Sequence, residues 1–250
     1  MTSILNIAAY RFVALTDLAH WRERLRAQAA AQSLKGTVLL AGEGINLCLA
    51  GAPGDVRAWL TWLRGHEPFA AVEAKESRSA AVPFAKLLVK VKHEIIRMNH
   101  ATIRPQAARA PAVDAKTLAR WLTQGTDDAG RALALLDTRN AFEADAGRFQ
   151  GAIDWRIERF SDFPEALHAH RQQLAGNTVV SYCTGGIRCE KAALLMADVG
   201  VDNVWQLDGG ILKYFEETGG LHFEGDCFVF DTRTALDVAL CPTASAGSSP

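Results

Sequence analysis

A chain of 250 residues with 49 % hydrophobic content can fill one large core or two modest ones, two domains being the better fit; no run nears the roughly 18 apolar residues of a membrane span, and MTSILNIAAYRFVAL lacks a basic lead and a cleavage site. The net charge of −1 conceals 15 Lys+Arg against 8 Asp+Glu in residues 1–110 and 12 against 20 in the remainder, so that a basic half meeting an anion competes with chance drift of charge between domains. Five scattered cysteines, at 48, 183, 189, 227 and 241, argue against a disulfide framework, and the expectation is a soluble cytoplasmic protein.

Residues 4–13 are an apolar run fit for a strand, after which Asp17 caps a helix carrying Trp21 and Leu25 to about residue 32. Short strands at 37–41 and 45–50 flank Gly42-Glu-Gly44. Pro53 and Asp55 open a second helix through Trp59, Trp62 and Leu63, and strands at 71–77 and 87–95 complete the segment. This β-α-β-β-α-β order predicts an α+β, ferredoxin-like domain over residues 1–103, with helices on one face of a largely antiparallel sheet. The tryptophans fall at helical spacing and read as core rather than as base-stacking platforms. Lys86, Lys90 and Lys92 share one face of their strand, which suits either a phosphate-binding stripe or a solvated surface. Gly42-Glu-Gly-Ile-Asn46 lacks the third glycine and the following helix of a dinucleotide loop; it is a hairpin turn, or it sets its backbone and Asn46 against RNA.

The Pro/Ala-rich stretch 104–112 is a linker, and with a short helix capped by Asp114 it occupies 104–128. Strands at 132–136, 151–153, 178–183 and 203–207 then alternate with helices near Ala141 and at 163–174, 190–199 and 211–217. The order predicts an α/β domain over 129–223 with a mostly parallel sheet covered on both faces. Residues 224–250 form a C-terminal tail whose small, polar end predicts disorder.

The most informative stretch is VSYCTGGIRCEKAALLM, residues 180–196, in which a buried strand runs through Cys183 into a helix. Ligands of open parallel sheets gather at the carboxyl ends of strands, where Cys183 sits. Thr184, Gly185, Gly186 and Ile187 let the backbone curl so that amides face inward, and a helix N-terminus and Arg188 add positive character. All of these favour a thiolate, so Cys183 is the candidate nucleophile and Arg188 its electrostatic partner. Cys189 either resolves an oxidised Cys183 or packs at the helix start. Asp137 and Arg139, near the loop, suit an orienting ion pair. His93, His100, His168 and His170 offer no zinc or facial-triad spacing, so no metal site is expected.

Leu135-Leu-Asp-Thr-Arg139, Phe149-Gln-Gly-Ala-Ile153, Cys183-Thr-Gly-Gly-Ile-Arg188 and Gln206-Leu-Asp-Gly-Gly210 resemble the first core strand, second turn, active-site loop and closing strand of the rhodanese superfamily. The loop is one residue shorter than in related cysteine phosphatases, which disfavours phosphatase activity. Tyr182-Cys-Thr-Gly-Gly-Ile-Arg-Cys-Glu-Lys-Ala192, Leu207-Asp-Gly-Gly-Ile-Leu-Lys213, Cys227-Phe-Val-Phe-Asp231 and Leu40-Ala-Gly-Glu-Gly-Ile-Asn46 narrow this further. From about residue 4 to 235 the chain resembles the bacterial oxygen-dependent tRNA uridine-34 hydroxylases. The resemblance implies 5-hydroxyuridine as product, molecular oxygen as co-substrate with no cofactor evident, the tRNA anticodon loop as partner, and an essential cysteine that maps to Cys183, described as a persulfide by analogy with rhodaneses. Many family members carry a cysteine-rich C-terminal extension; with only Cys227 and Cys241 near this end, a metal cluster there is not expected. Rhodanese-type sulfur transfer through a Cys183 persulfide is the alternative function.

Overall fold

A computed structural model describes residues 3–243, which divide into two compact units, the first being 3–97 with 231–233 and the second 98–230 with 234–243. The break falls a few residues before the stretch read as linker. Among the described residues, no helix is long and apolar enough to cross a membrane.

The first unit runs β1 (Ile4–Phe12), α1 (Leu18–Ala31), β2 (Lys35–Ala41), β3 (Gly44–Gly51), α2 (Pro53–Arg64), β4 (Glu73–Ser79) and β5 (Leu87–Val91). Its sheet has the order β4-β1-β3-β2-β5, antiparallel except where β5 lies parallel to β2. Strand alternation turns Leu5 and Ile7, Val38 and Leu40, and Ile45, Leu47 and Leu49 toward one face, where they meet Leu25, Ala29, Val56, Trp59 and Leu63 of the two helices. Asp17 caps α1 by accepting from the His20 amide. The strand expected to reach residue 95 ends at Val91. Lys92 still donates to the Leu40 carbonyl at 2.7 Å, but Ile95 is then clamped by side chains, its amide donating to Glu43 at 2.8 Å and its carbonyl accepting from Asn46 at 3.1 Å.

The second unit comprises β6 (Ala112–Val113), α3 (Ala115–Gln124), β7 (Leu133–Asp137), α4 (Ala141–Ala146), β8 (Gly147–Phe149), β9 (Ile153–Asp154), α5 (Phe163–His170), β10 (Thr178–Tyr182), α6 (Ile187–Asp198), β11 (Val204–Leu207) and α7 (Gly210–Thr218), followed by β12 (Phe223–Gly225), β13 (Cys227–Phe228) and β14 (Ala235–Leu236). Five strands in the order β6-β11-β10-β7-β9 make a wholly parallel sheet. Every residue of the central strand β10 is buried, as a strand covered on both faces requires. Cys183 follows it directly.

Three stretches differ from the sequence reading. The strand expected at 151–153 is replaced by two short ones, β8 before it and β9 starting only at Ile153, with a turn at Gly151. Ala112 and Val113, read as linker, pair with Gln206 and Leu207 at the sheet edge. Residues 223–236, most of them read as tail, form three short strands; β12 pairs with β8, β13 with β14, and Cys227, Val229 and Leu236 are buried. Strands this short are set by partners distant in the sequence, which local periodicity cannot register. The last residues, 244–250, on which disorder was expected, lie outside those described.

Candidate active site

The loop 183–188 joins the carboxyl end of β10 to the amino end of α6, and its shape depends on one backbone conformation. Gly186, the residue before α6, has φ 99°, a left-handed conformation that side chains with a β-carbon resist. The turn it makes sends its own amide back to the Cys183 sulfur, to which it donates at 3.1 Å. Gly185 has no such backbone constraint, and a β-carbon placed there would meet nothing within 4 Å. Thr184, Gly185 and Ile187 are half-buried around the cradle, whereas Cys183, Arg188 and Cys189 are buried.

The motif Leu207-Asp-Gly-Gly-Ile fastens this loop from beneath. Gly210, at φ 68°, approaches so closely that a β-carbon would lie 2.5 Å from the Cys183 carbonyl oxygen and 2.7 Å from the Gly186 nitrogen. The amides of Ile211 and Leu212, in the first turn of α7, donate to the Cys183 and Thr184 carbonyls at 3.0 and 3.1 Å. Helix α7 thereby satisfies the carbonyls of a loop whose amides face inward, so that the cradle keeps its donors for the sulfur.

Burial by itself pushes a thiol up. At Cys183 the hydrogen bond from Cys189, the charge of Arg188 and the backbone amides of Arg188 and Cys189 outweigh it, and the thiol is held well below its ordinary range. Cys189 moves the opposite way, pushed up by burial and by the neighbouring Cys183. The pair is therefore a thiolate receiving a hydrogen bond from a thiol. Thr138, whose hydroxyl donates to the Tyr182 carbonyl at 2.9 Å, also lies 3.7 Å from the Cys189 sulfur and holds that side chain in place.

Arg188 is not aimed at the loop as an unshared cation. Its guanidinium grips the carboxylate of Glu143 with two parallel bonds of 2.5 and 2.7 Å, and both side chains are buried. Glu143 also accepts from the Asn140 amide at 3.1 Å and from the Thr184 hydroxyl at 3.5 Å, tying α4 to the cysteine loop. The sequence reading missed Glu143, although Asn140-x-x-Glu143 ahead of a helix is a recognisable capping pattern. Asp137 and Arg139 form the expected ion pair, with bonds of 2.6 to 3.1 Å, and Arg139 also donates to the Glu143 and Gly147 carbonyls.

Cys227, placed in the tail by sequence, stands against this site. Its sulfur lies 3.8 Å from the Phe228 carbonyl, to which it donates, and burial pushes its thiol up to about 12 despite the lowering charge of Arg139. In the first unit, Lys86, Lys90 and Lys92 are exposed, but only Lys90 lies within the edge strand β5, Lys86 and Lys92 flanking it, and Asn46 spends its amide on Ile95. Trp59 is fully buried, with Trp21 and Trp62 packed against the same core. Among the described residues, no three His, Cys, Asp or Glu side chains gather as a metal site.

A central parallel strand ending in a thiolate, an amide cradle closed by a glycine, and a helix beginning at the next residue define a rhodanese-class domain. Residues 115–217 match the model of the rhodanese-like domain, and residues 4–95 match that of the UPF0176 acylphosphatase like domain. A tRNA uridine(34) hydroxylase of Bordetella pertussis is 62 % identical over 244 residues, covering 98 % of this chain and 100 % of that protein. One from Variovorax paradoxus is 62 % identical over 249 residues, covering 100 % and 95 %. Among solved structures, the rhodanese-like domain of an Anabaena protein covers 46 % of this chain and 80 % of its own at 22 % identity and TM-score 0.37. An acylphosphatase from Coxiella burnetii covers 36 % and 94 % at 18 % identity and TM-score 0.29. The chain belongs to the tRNA uridine(34) hydroxylase family.

Proposed function

We propose that this chain hydroxylates uridine 34 of tRNA at C5, giving 5-hydroxyuridine, with Cys183 as nucleophile, molecular oxygen as co-substrate and the anticodon loop as the bound partner. The observation that carries the reading is end-to-end identity of 62 % with relatives of that name, in a chain whose loop cysteine is held as a thiolate. A tRNA substrate puts the site of action in the cytoplasm; among the described residues, no helix is long and apolar enough to cross a membrane.

The chemistry follows from the base. Uracil conjugates its C5=C6 bond to the C4 carbonyl, so a thiolate adding at C6 leaves enolate character at C5, the carbon that must gain oxygen. Position 34 lies in a single-stranded loop, from which a base turns outward at modest cost. Arg188, already shared with Glu143, holds the loop in shape and contributes its charge to the thiolate. Placing one atom of O2 on C5 and releasing the other as water takes two electrons and two protons. Once Cys183 has left C6, the Cys183 thiolate and Cys189 thiol can supply the two electrons by closing to a disulfide; Cys189 gives one proton and solvent the other.

Purified protein incubated with unmodified tRNA under 18O2 tests the reading. The expected result is 5-hydroxyuridine at position 34 carrying one heavy oxygen, together with loss of two free thiols per turnover in the absence of reductant. No oxygen incorporation, combined with sulfur transfer from Cys183 to a small acceptor, would replace it by the sulfurtransferase alternative.

A further inference from the structure

The strand that brings Cys227 to the site alternates in an unusual sense. Cys227 and Val229 turn inward and are buried, while Phe228 is half-buried and Phe230 is 63 % exposed. Phe142, the residue before Glu143 on α4, meets them at 47 % exposure. The three ring planes are nearly perpendicular to one another: 82° between Phe142 and Phe228, 87° between Phe142 and Phe230, and 81° between Phe228 and Phe230, with centroids 5.1 to 6.2 Å apart. Edge-to-face contact satisfies each ring partly and leaves two large aromatic surfaces in water, where a solvated strand face carries polar residues.

This corner is fastened to the catalytic loop at two points. Glu143, next to Phe142, holds Arg188 and accepts from Thr184, and Cys227, next to Phe228, is fully buried, close enough for the charges of Glu143 and Cys183 to act on its thiol. The residues after 110 carry 12 Lys+Arg against 20 Asp+Glu, so this half of the chain holds a polyanion poorly by charge. Aromatic faces take a base without that requirement, because every base has a π-face. An unpaired loop presents such bases; a paired stem does not.

From this geometry we propose that Phe142, Phe228 and Phe230 form a stacking corner for a nucleobase of the anticodon loop, turned out of its stack beside the target uridine. The inference rests on the tRNA reading above. It adds a binding surface on the catalytic unit, beyond any contact that Lys86, Lys90 and Lys92 make with phosphates.

The test uses the full chain and an anticodon stem-loop RNA. The Phe142→Leu/Phe230→Leu double variant keeps apolar bulk but loses the π-faces; its affinity for the stem-loop falls roughly tenfold, with the thermal midpoint unchanged and turnover recovering at saturating RNA. A Phe230→Trp variant keeps the affinity, and the emission it adds over the six native tryptophans, read as the difference from the wild-type titration, is quenched as RNA is added. Wild-type affinity in the double variant, or fluorescence at position 230 indifferent to RNA, overturns the proposal. Loss of self-association in the double variant with RNA affinity intact overturns it also, since the corner would then serve a second copy of the chain. Failure of the wild-type protein to modify uridine 34 counts against the proposed function, and the fluorescence titration still decides the corner.

Discussion

Glu143 and Arg188, 45 residues apart in the chain, meet as a buried two-pronged ion pair that joins α4 to the first turn of α6. The arginine of the cysteine loop therefore serves two groups at once. It lends charge to Cys183, and its planar fork locks the loop against a helix that carries none of the reacting atoms. Removing one partner of such a pair strands the other in a dry interior. Glu143→Gln is expected to lower stability by about 3 kcal/mol or more, measured by denaturant unfolding. Arg188→Lys is expected to impair turnover severely, because a point charge cannot fill both prongs. Wild-type stability in the glutamine variant would mean that the pair is solvated and dispensable.

Cys183→Ser is expected to abolish hydroxylation with the fold intact, since an alcohol is not ionised by this cradle. Nucleoside mass spectrometry of the product, with a circular dichroism spectrum of the variant, checks both halves of the statement.

The pH dependence has a definite sign. Because Cys183 is depressed in the fold, its thiolate is present through the neutral range and is lost only as pH falls through that lowered value. Its alkylation rate by iodoacetamide should be flat between about pH 7 and 9, where an ordinary thiol of pKa about 8.5 still climbs. Cys189→Ala removes a hydrogen-bond donor from the thiolate, so the inflection moves to higher pH. Cys189→Ser restores a donor and brings it back. A wild-type profile that rises through pH 8 to 9 would refute the thiolate assignment.

Gly210→Ala tests the support beneath the loop. The added methyl would strike the Cys183 carbonyl and the Gly186 amide, the donor to the catalytic sulfur, and the position already has a positive φ. Activity should be lost, and Cys183 should alkylate more like a free thiol. Gly185→Ala, where nothing lies within 4 Å, should fold normally, so the two variants distinguish crowding of the loop from a general intolerance of β-carbons.

Lys90 lies exposed on the edge strand β5, with Lys86 and Lys92 exposed just before and after it, which suits phosphate contact and also blunts a sheet edge. Reversing all three charges should weaken tRNA binding about tenfold or more at low salt and flatten its dependence on salt concentration. Affinity unchanged across a salt series would assign them to edge protection alone.

Much of this molecule was legible locally. The 3.6- and 2-residue periods of residues 4–91 specify helices and strands because each element buries its own apolar face, and the block from Tyr182 to Ala192 carries its chemistry within a single turn. Cys183 and its glycine cradle needed no distant partner to be recognised. Glu143 and Cys227 did. A carboxylate two prongs deep on Arg188, and a cysteine read as tail yet packed against Thr184, acquire their roles only when α4 and β13 are brought to the carboxyl end of β10. The sequence by itself determined where the thiolate forms, since amides, a helix start and a guanidinium lie within six residues of it. Tertiary structure alone decided what the guanidinium is paired with, which faces of Phe142 and Phe230 are left in water, and that Gly210 lies under the loop. Those are contacts between segments far apart in the chain, and no local period encodes the neighbour a residue will have once the sheet has closed around it.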